Sequence, residues 1–172
     1  MSVCNIAQRL TEMAGKRPNA PALVAQSRRR GGKYRYRSVT YGELESDSNR
    51  LAAGLVRRGV RPGTRIALLV RPGIDFVSLT FALFKAGAVT ILIDPGMGRD
   101  HLLQCLEDAK PEGFIAIPLA HAARVVHRRR FPQARLNVTL GRRWFWGGAT
   151  VAQLRRNPVT GFRPVATTAQ DP

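Results

Sequence analysis

The sequence predicts an α/β protein with a mainly parallel sheet, helices on its faces and an N-terminal β-hairpin. The chain has 172 residues, 44% of them hydrophobic and 23% charged, which is typical of one folded domain. Short apolar runs alternate with longer amphipathic runs through its middle, and short strands joined by helices must be parallel. We assign residues 1–140 to this α/β unit and residues 141–172 to an irregular, basic and aromatic tail.

The N-terminal residues predict a helix followed by two strands. Ile6, Leu10 and Met13 recur at helical spacing within a helix over residues 5–17, with Asn5 as its N-cap. The strands PALVAQ (21–26) and KYRYRSV (33–39) follow, and the SRRRGG segment between them predicts a hairpin turn with its arginines at the tip.

The middle of the chain alternates between helix and strand. Thr40-Tyr41-Gly42-Glu43 has the spacing of a capping box and opens a helix that ends at Gly59. Near-continuous apolar runs predict strands buried on both faces. The predicted strands are 65–70, 88–94, 113–117 and 135–140, and the predicted helices between them are 75–86, 99–109 and 118–130. In the last helix we expect four residues to face inward: Leu119, Ala122, Ala123 and Val126.

Positive charge is concentrated in the two flanks of the chain. The formal net charge is +17. Residues 1–40 carry 9 basic and 1 acidic side chains, residues 41–120 carry 9 and 9, and residues 121–172 carry 10 and 1. Such a balance raises nucleic-acid binding as a possibility, but we favour solvated arginines on loops.

No apolar run approaches the roughly 18 residues of a membrane span. Cys4 and Cys105 fit no metal or disulfide framework, so a reducing, cytoplasmic setting is the expectation.

The side chains offer few candidates for chemistry. Gly96-Met97-Gly98 lies between a predicted strand and a predicted helix, where phosphate-cradling turns occur, and Asp94 precedes it. Two glycines also make an ordinary tight turn, and an aspartate there can bond the turn amides, which is the interpretation we favour. The chain contains no phosphate-loop motif of the G-x-x-x-x-G-K-[ST] type.

The histidines and the acidic pair are predicted to be surface residues. His101, His121 and His127 do not share a helical face at ligand spacing, so we expect each to be a surface histidine. Glu107 and Asp108 are adjacent and point to different sides of a helix, so they form no acid/base pair.

Trp144-Phe145-Trp146, preceded by Arg142-Arg143, is either a base-stacking platform or an apolar anchor that packs on a neighbouring domain, and we favour the anchor. Arg128-Arg129-Arg130 suits the C-terminal end of a helix.

Several segments together resemble the N-terminal part of the AMP-forming acyl–acid ligases, the adenylate-forming superfamily. Thr40–Leu44 (TYGEL) is similar to the family's T-Y-x-E-L segment, and residues 51–63 to its A-x-x-L-x-x-x-G-V-x-x-G-D helix and turn. Residues 81–88 are similar to the A-x-L-K-A-G-A helix end, and Ile93-Asp94-Pro95 stands where the family has a strand-ending proline. The form of residues 93–118 is most similar to the bacterial olefin-biosynthesis branch, whose member makes β-lactones from long-chain β-hydroxy acids.

The resemblance covers about residues 5–126 and implies ATP-dependent adenylation of a fatty or β-hydroxy acid, with ATP and Mg²⁺ for the full-length family. The family's Ser/Thr/Gly-rich loop ending in Lys-Gly, its adenine-contacting aromatic, its ribose-binding aspartate and its catalytic lysine find no counterpart here. We therefore assign no catalytic, cofactor-binding or metal residue. We expect an N-terminal fragment that is inactive alone, with the remaining part of the ligase as its partner.

Two other functions remain open. One is a basic nucleic-acid-binding domain using Arg142, Arg143 and Trp144, and the other is a non-catalytic adaptor that docks through an exposed sheet edge and the aromatic tail. We consider nucleic acid unlikely. An incomplete parallel sheet should leave an apolar face or a strand edge uncovered, so we expect the isolated chain to be poorly soluble or to associate.

Overall fold

The protein is described by a computed structural model that covers residues 5–30, 33–93, 96, 98–156, 158–159 and 162–167. Its helices are α1 Ala7–Lys16, α2 Tyr41–Arg57, α3 Ile74–Lys85, α4 Arg99–Asp108, α5 Pro118–Val126 and α6 Val151–Arg155. Its strands are β1 Pro21–Arg30, β2 Lys33–Thr40, β3 Arg65–Leu69, β4 Val89–Ile91, β5 Gly113–Ala116, β6 Leu136–Thr139 and β7 Ala149–Thr150. A short 3-10 turn, Arg128–Arg130, follows α5.

The strands form two separate sheets, as the sequence predicts. β1 and β2 make an antiparallel hairpin. The other five make a parallel sheet in the order β4-β3-β5-β6-β7. All four residues of β5 are buried. At its first position, a Cβ on Gly113 would lie 2.6 Å from the Leu136 side chain, so the approach of β6 requires glycine there.

The parallel sheet is covered on both faces. Ile66, Leu68 and Ile115 join the larger core, which contains residues of α2, α3 and α6. The alternate residues Ala67 and Phe114 join a smaller core with Leu106 of α4 and Phe131. This alternation explains why the strands are apolar almost throughout.

The hairpin packs through a third cluster of its own. Val39 of β2, Leu10 of α1 and Leu44 of α2 are buried together, with Ile74 and Phe81 of α3 packed against them. The capping box at the start of α2 is present: the Glu43 amide donates to Thr40 Oγ1 at 3.2 Å and the Thr40 amide to Glu43 Oε2 at 2.9 Å. The hairpin therefore has a fixed junction with the α/β unit.

Several boundaries differ from the predicted ones. α1 begins at Ala7 rather than at residue 5, and Asn5 Oδ1 accepts from the Ala7 amide at 2.9 Å. β1 continues to Arg30 instead of turning at Ser27, because pairing extends to the Arg30–Lys33 rung. β4 ends at Ile91 rather than at Asp94, which itself lies outside the described residues.

α5 ends at Val126, and its buried face is not the predicted one. Leu119 and Val126 are 73% and 77% exposed, whereas His121 is fully buried. The prediction failed because this helix is apolar on more than one side, so spacing alone does not choose a face.

The segment after residue 140, predicted to be an irregular tail, contains the short elements β7 and α6. β7 pairs with β6 through Val138–Ala149 and Thr139–Thr150, and Val151 and Leu154 of α6 are buried in the larger core. A two-residue strand and a five-residue helix are too short to show periodicity. Residues 149–155 thus pair with the parallel sheet and pack into its larger core, whereas the division of the chain into two parts at residue 140 stays a prediction.

Candidate functional site

The glycine turn before α4 is only partly described. Gly98 is exposed, has a positive φ of 84° and directly precedes α4 without a side-chain cap. Asp94, Pro95 and Met97 lie outside the described residues. The assignment of this turn as a phosphate cradle or an ordinary turn therefore stays a prediction.

A buried lysine joins α3 to α2. Lys85 Nζ lies 2.7 Å from Glu45 Oε2, 2.8 Å from Ser48 Oγ and 2.6 Å from Asn49 Oδ1. The lysine side chain is fully buried and Glu45 is nearly so. Burial lowers the pKa of Lys85, opposed by the hydrogen bond and charge of Glu45. All three ammonium hydrogens have an acceptor. We call Lys85, Glu45, Ser48 and Asn49 the Lys85 cluster, and this cluster joins α3 to α2.

The Lys85 cluster was missed as a site in the sequence, although a signal for it exists. Lys85 is the one charged residue after Asp75 in the apolar run DFVSLTFALFK. Glu45, Ser48 and Asn49 stand at the i, i+3 and i+4 positions of one helix face. A lone cation in an apolar helix predicts a polar partner face elsewhere in the protein.

An arginine with two carboxylate partners joins α6 to α2 and α3. Arg155 donates from Nε and Nη2 to both oxygens of Asp47, at 2.8 and 2.9 Å, and from Nη2 to Asp75 Oδ1 at 2.6 Å. The hydrogen bonds to Asp47 raise the pKa of Arg155, burial opposes them, and the hydrogen bond to Asp75 adds to the increase. Bidentate geometry of this kind fixes orientation as well as charge.

His121 is the candidate that the sequence placed wrongly. Its Nε2 lies 3.0 Å from the carbonyl oxygen of Val138, and its ring stacks on Trp146 with centroids 5.4 Å apart. Burial lowers its pKa, as does the charge of Arg124, while the Val138 carbonyl opposes the shift. Its Nδ1 and the Nε of Arg124 are buried without a partner within the described part of the chain.

The aromatic run after β6 is split between an anchor and exposed rings. Trp146 Nε1 donates to Thr139 Oγ1 at 3.0 Å, and Trp146 packs on His121, so it fixes the β6–β7 connection. Trp144 and Phe145 are 54% and 77% exposed and both contact the Trp146 ring. Arg143 donates to the Gly148 carbonyl. One of the three rings, Trp146, thus packs within this chain, and the predicted packing of the run on a neighbouring domain stays a prediction.

The other candidate residues lie at the surface. His101 is exposed on α4 and His127 lies at the end of α5. Glu107 pairs with Arg130 at 3.4 Å and Asp108 accepts from Gln104 at 3.0 Å, so the two acids have separate partners. Cys105 is a free thiol. Across the described residues, no three His, Cys, Asp or Glu side chains are placed to hold a metal ion.

One groove brings several charged side chains together. It has a volume of about 690 Å³ and lies between β2, the first turns of α2 and α3, and α6. Its charged lining residues are Arg37, Glu43, Asp47, Arg50, Asp75 and Arg155. The lining contains three arginines and three carboxylates, so it has no net charge that would select an anion or a cation.

Taken together, the polar groups described here hold structural elements against one another. The scaffold consists of the five-stranded sheet, its covering helices and the capped hairpin. Comparison with known proteins assigns this scaffold to a family. The sequence pattern of the family described as AMP-binding enzyme matches residues 10–144. The chain belongs to the AMP-binding enzyme family.

Two relatives of this AMP-binding chain are olefin β-lactone synthetases. That of Stenotrophomonas maltophilia is 46% identical over 168 residues, which cover 96% of this chain and 30% of the relative. That of Xanthomonas campestris pv. campestris is 42% identical over 172 residues, covering 99% of this chain and 31% of the relative. The chain thus spans about a third of the length of the curated relatives it matches.

Solved structures of AMP-binding enzymes share the fold. An anthranilate CoA ligase in complex with anthranoyl-AMP superposes with a TM-score of 0.82 at 19% identity, over 99% of this chain and 32% of that one. A long-chain-fatty-acid-CoA ligase from Archaeoglobus fulgidus gives a TM-score of 0.82 at 18% identity, over 99% and 33%. In the described part of the chain, no helix is long and apolar enough to cross a bilayer.

Proposed function

We propose that this chain supplies the N-terminal scaffold of an AMP-forming ligase that activates a fatty or β-hydroxy acid. The observation that carries the proposal is the 46% identity to an olefin β-lactone synthetase over 96% of the chain. At that identity nearly the whole chain is shared with one kind of enzyme, whereas the solved structures support the fold alone. The scaffold role accounts for the ion pairs of Lys85 and Arg155 that join its helices.

The same proposal makes the 172-residue chain inactive when it is alone. Adenylation joins a carboxylate oxygen to the α-phosphorus of ATP and expels pyrophosphate, which requires preorganised donors and a divalent cation around the phosphates. In this chain the cationic groups with shifted pKa values are engaged elsewhere: Lys85 and Arg155 bind carboxylates, and Arg124 lies over the Phe114 ring. These three cationic groups are therefore not available to the phosphates of ATP, and the proposal assigns no catalytic step to the described residues.

The remaining part of the ligase is the partner that this proposal requires. It would supply the nucleotide-binding groups, the metal site and the acyl pocket, and the free thiol of Cys105 is consistent with a reducing, cytoplasmic setting. The present chain would supply the sheet and helices against which those groups are positioned.

A chimera tests both parts of the proposal. This chain replaces the matching N-terminal portion of the S. maltophilia enzyme, and pyrophosphate release is measured with ATP, Mg²⁺ and long-chain β-hydroxy acids. We expect release from the chimera and none from the isolated chain, because only the chimera contains phosphate-binding groups.

A chimera that carries Lys85→Met serves as the scaffold control, since removal of the ammonium leaves Glu45, Ser48 and Asn49 unsatisfied inside the protein. We expect it to lose both thermal stability and activity. A folded but inactive parent chimera would refute the scaffold role, and turnover by the isolated chain would refute its inactivity.

A further inference from the structure

A small cavity with a volume of about 150 Å³ lies between the end of α2 and the strands β3, β5 and β6. Its apolar lining side chains belong to the larger core or pack against it. Six of them are Leu55, Val60, Ile66, Ile115, Leu136 and Val138. Cavities of about 150 Å³ lined by such side chains hold a molecule of the size of benzene. A ligand for this cavity therefore has a small, apolar body.

Two arginines line the same cavity. Arg58 directly follows α2, and Arg135 directly precedes β6. Both residues are exposed, so the cavity meets solvent where they lie. Neither side chain forms a hydrogen bond or an ion pair with any residue that the structure describes. Two cations at one cavity repel each other, and an anion between them would offset that repulsion.

The polar groups around these arginines have other partners. The carboxylate of Glu112 accepts from the Arg65 amide at 3.1 Å and lies 3.8 Å from Arg65 Nε. The Leu55 carbonyl, near the end of α2, accepts from the Val60 amide at 3.1 Å. Asn137, the remaining polar side chain of the lining, donates from Nδ2 to a backbone carbonyl at 3.4 Å. None of these groups uses either guanidinium as its partner.

We propose that this cavity binds a small monoanion with an apolar body, an aromatic carboxylate of one ring. The ring leaves water against the buried aliphatic side chains, and the carboxylate accepts from Arg58 and Arg135, whose planar forks match its two oxygens. Inorganic phosphate would satisfy the arginines and leave the apolar space unfilled, whereas a neutral ring would do the reverse. The inference goes beyond the ligase scaffold and does not depend on it, and no covalent step is assigned to the cavity.

An NMR titration of the full chain with benzoate tests the proposal. We expect one benzoate per chain with a dissociation constant of about 1 mM or lower. The methyl signals that shift should be those of the lining, with Val60, Ile66 and Ile115 among them. Acetate lacks the ring and benzyl alcohol lacks the charge, so each should bind at least about tenfold more weakly. Equal affinity for either compound, or shifts confined to other methyl groups, would overturn the proposal.

A double substitution tests the role of the two arginines. R58Q/R135Q should bind benzoate at least about tenfold more weakly and should lose the preference for benzoate over benzyl alcohol. R128Q/R129Q is the matched control, because it makes the same change in net charge at two exposed arginines outside the cavity lining. It should bind within about twofold of the parent chain. Equal losses in the two variants would show attraction by net charge alone and would overturn the proposal.

Filling the cavity tests the role of the apolar space. Leu136→Phe adds volume to the lining and should abolish benzoate binding, with its thermal midpoint measured in parallel. Leu140→Phe is the matched control at a half-buried leucine that packs against the same core without lining the cavity. Val60→Leu, which adds one methylene, replaces Leu136→Phe if that variant unfolds. A filled, folded variant that binds benzoate like the parent chain would overturn the proposal.

Discussion

The ring of His121 carries its proton on Nε2, because that nitrogen faces the carbonyl oxygen of Val138, which only accepts hydrogen bonds. The ring is buried against Trp146, and a second proton would place a charge there beside Arg124. A histidine in this position is therefore held neutral by the fold.

This arrangement predicts a pH-dependent stability. The pKa of His121 is lowered in the folded protein, so as pH falls below about 6.5 the unfolded chain takes up a proton that the native state refuses. The free energy of unfolding should decline as pH drops from about 6.5 toward the lowered pKa, by at most about 1.4 kcal/mol per pH unit for this one proton. Urea unfolding at several pH values measures the slope.

His121→Gln keeps a donor for Val138 and removes the titration, so its slope should be flatter than that of the parent. His101→Gln, at an exposed position of α4, is the control and should keep the parent slope. A parent slope that survives in His121→Gln would show that the pH dependence comes from another group.

At the scale of elements, α6 is the least self-sufficient piece of the fold. Five residues do not make a stable helix in water. Its capping box, formed by Thr150 and Gln153, satisfies the first amides, and Arg155 joins its end to Asp47 and Asp75. The helix is held by these tertiary contacts.

Arg155→Gln should therefore loosen α6 selectively. We expect a loss of about 1 to 2 kcal/mol in the free energy of unfolding, since the pairs are partly exposed, and faster amide hydrogen exchange over residues 151–155. Arg156→Gln is the matched control, one residue further along and exposed. If both variants exchange alike, the ion pairs do not hold the helix.

The elements also show which parts of the fold can be predicted from the sequence. The sequence predicted α2, with its capping box, and the buried strands β3 and β5 with boundaries correct within a few residues. These elements are buried along one face or on both, and burial of that kind imposes a clear apolar pattern on the sequence. β7 and the buried position of His121 depend on contacts between distant segments, with Val138 and Trp146, which leave no local pattern. The Lys85 cluster is an intermediate case. The sequence shows a lone lysine in an apolar helix, but it does not show which face of another helix contacts that lysine.

At the scale of the whole molecule, the described surface includes apolar side chains that a self-contained domain usually covers. Leu119 and Val126 are on one side of α5, seven residues apart and mostly exposed. Phe145 is equally exposed beside Trp144. These residues give a structural basis for the association that the incomplete sheet led us to expect.

We predict that the isolated chain self-associates at micromolar concentration and that L119Q/V126Q shifts it toward the monomer, because the substitutions remove apolar area from the contact. Sedimentation velocity over a range of protein concentrations measures the shift. R128Q/R129Q, two exposed polar positions near the same helix, should leave the distribution unchanged. A parent chain that stays monomeric throughout would contradict the prediction.

Asn5 joins the two ends of the described chain. Its Nδ2 donates to the carbonyl oxygens of Phe84 at 2.9 Å and Val165 at 2.8 Å, while the Val165 amide donates to the Lys85 carbonyl at 2.9 Å. During synthesis, residue 165 leaves the ribosome long after α2, α3 and the first strands. The Asn5 side chain can therefore complete its native hydrogen bonds only after residue 165 has emerged, so this junction closes later than the helices and strands that precede that residue.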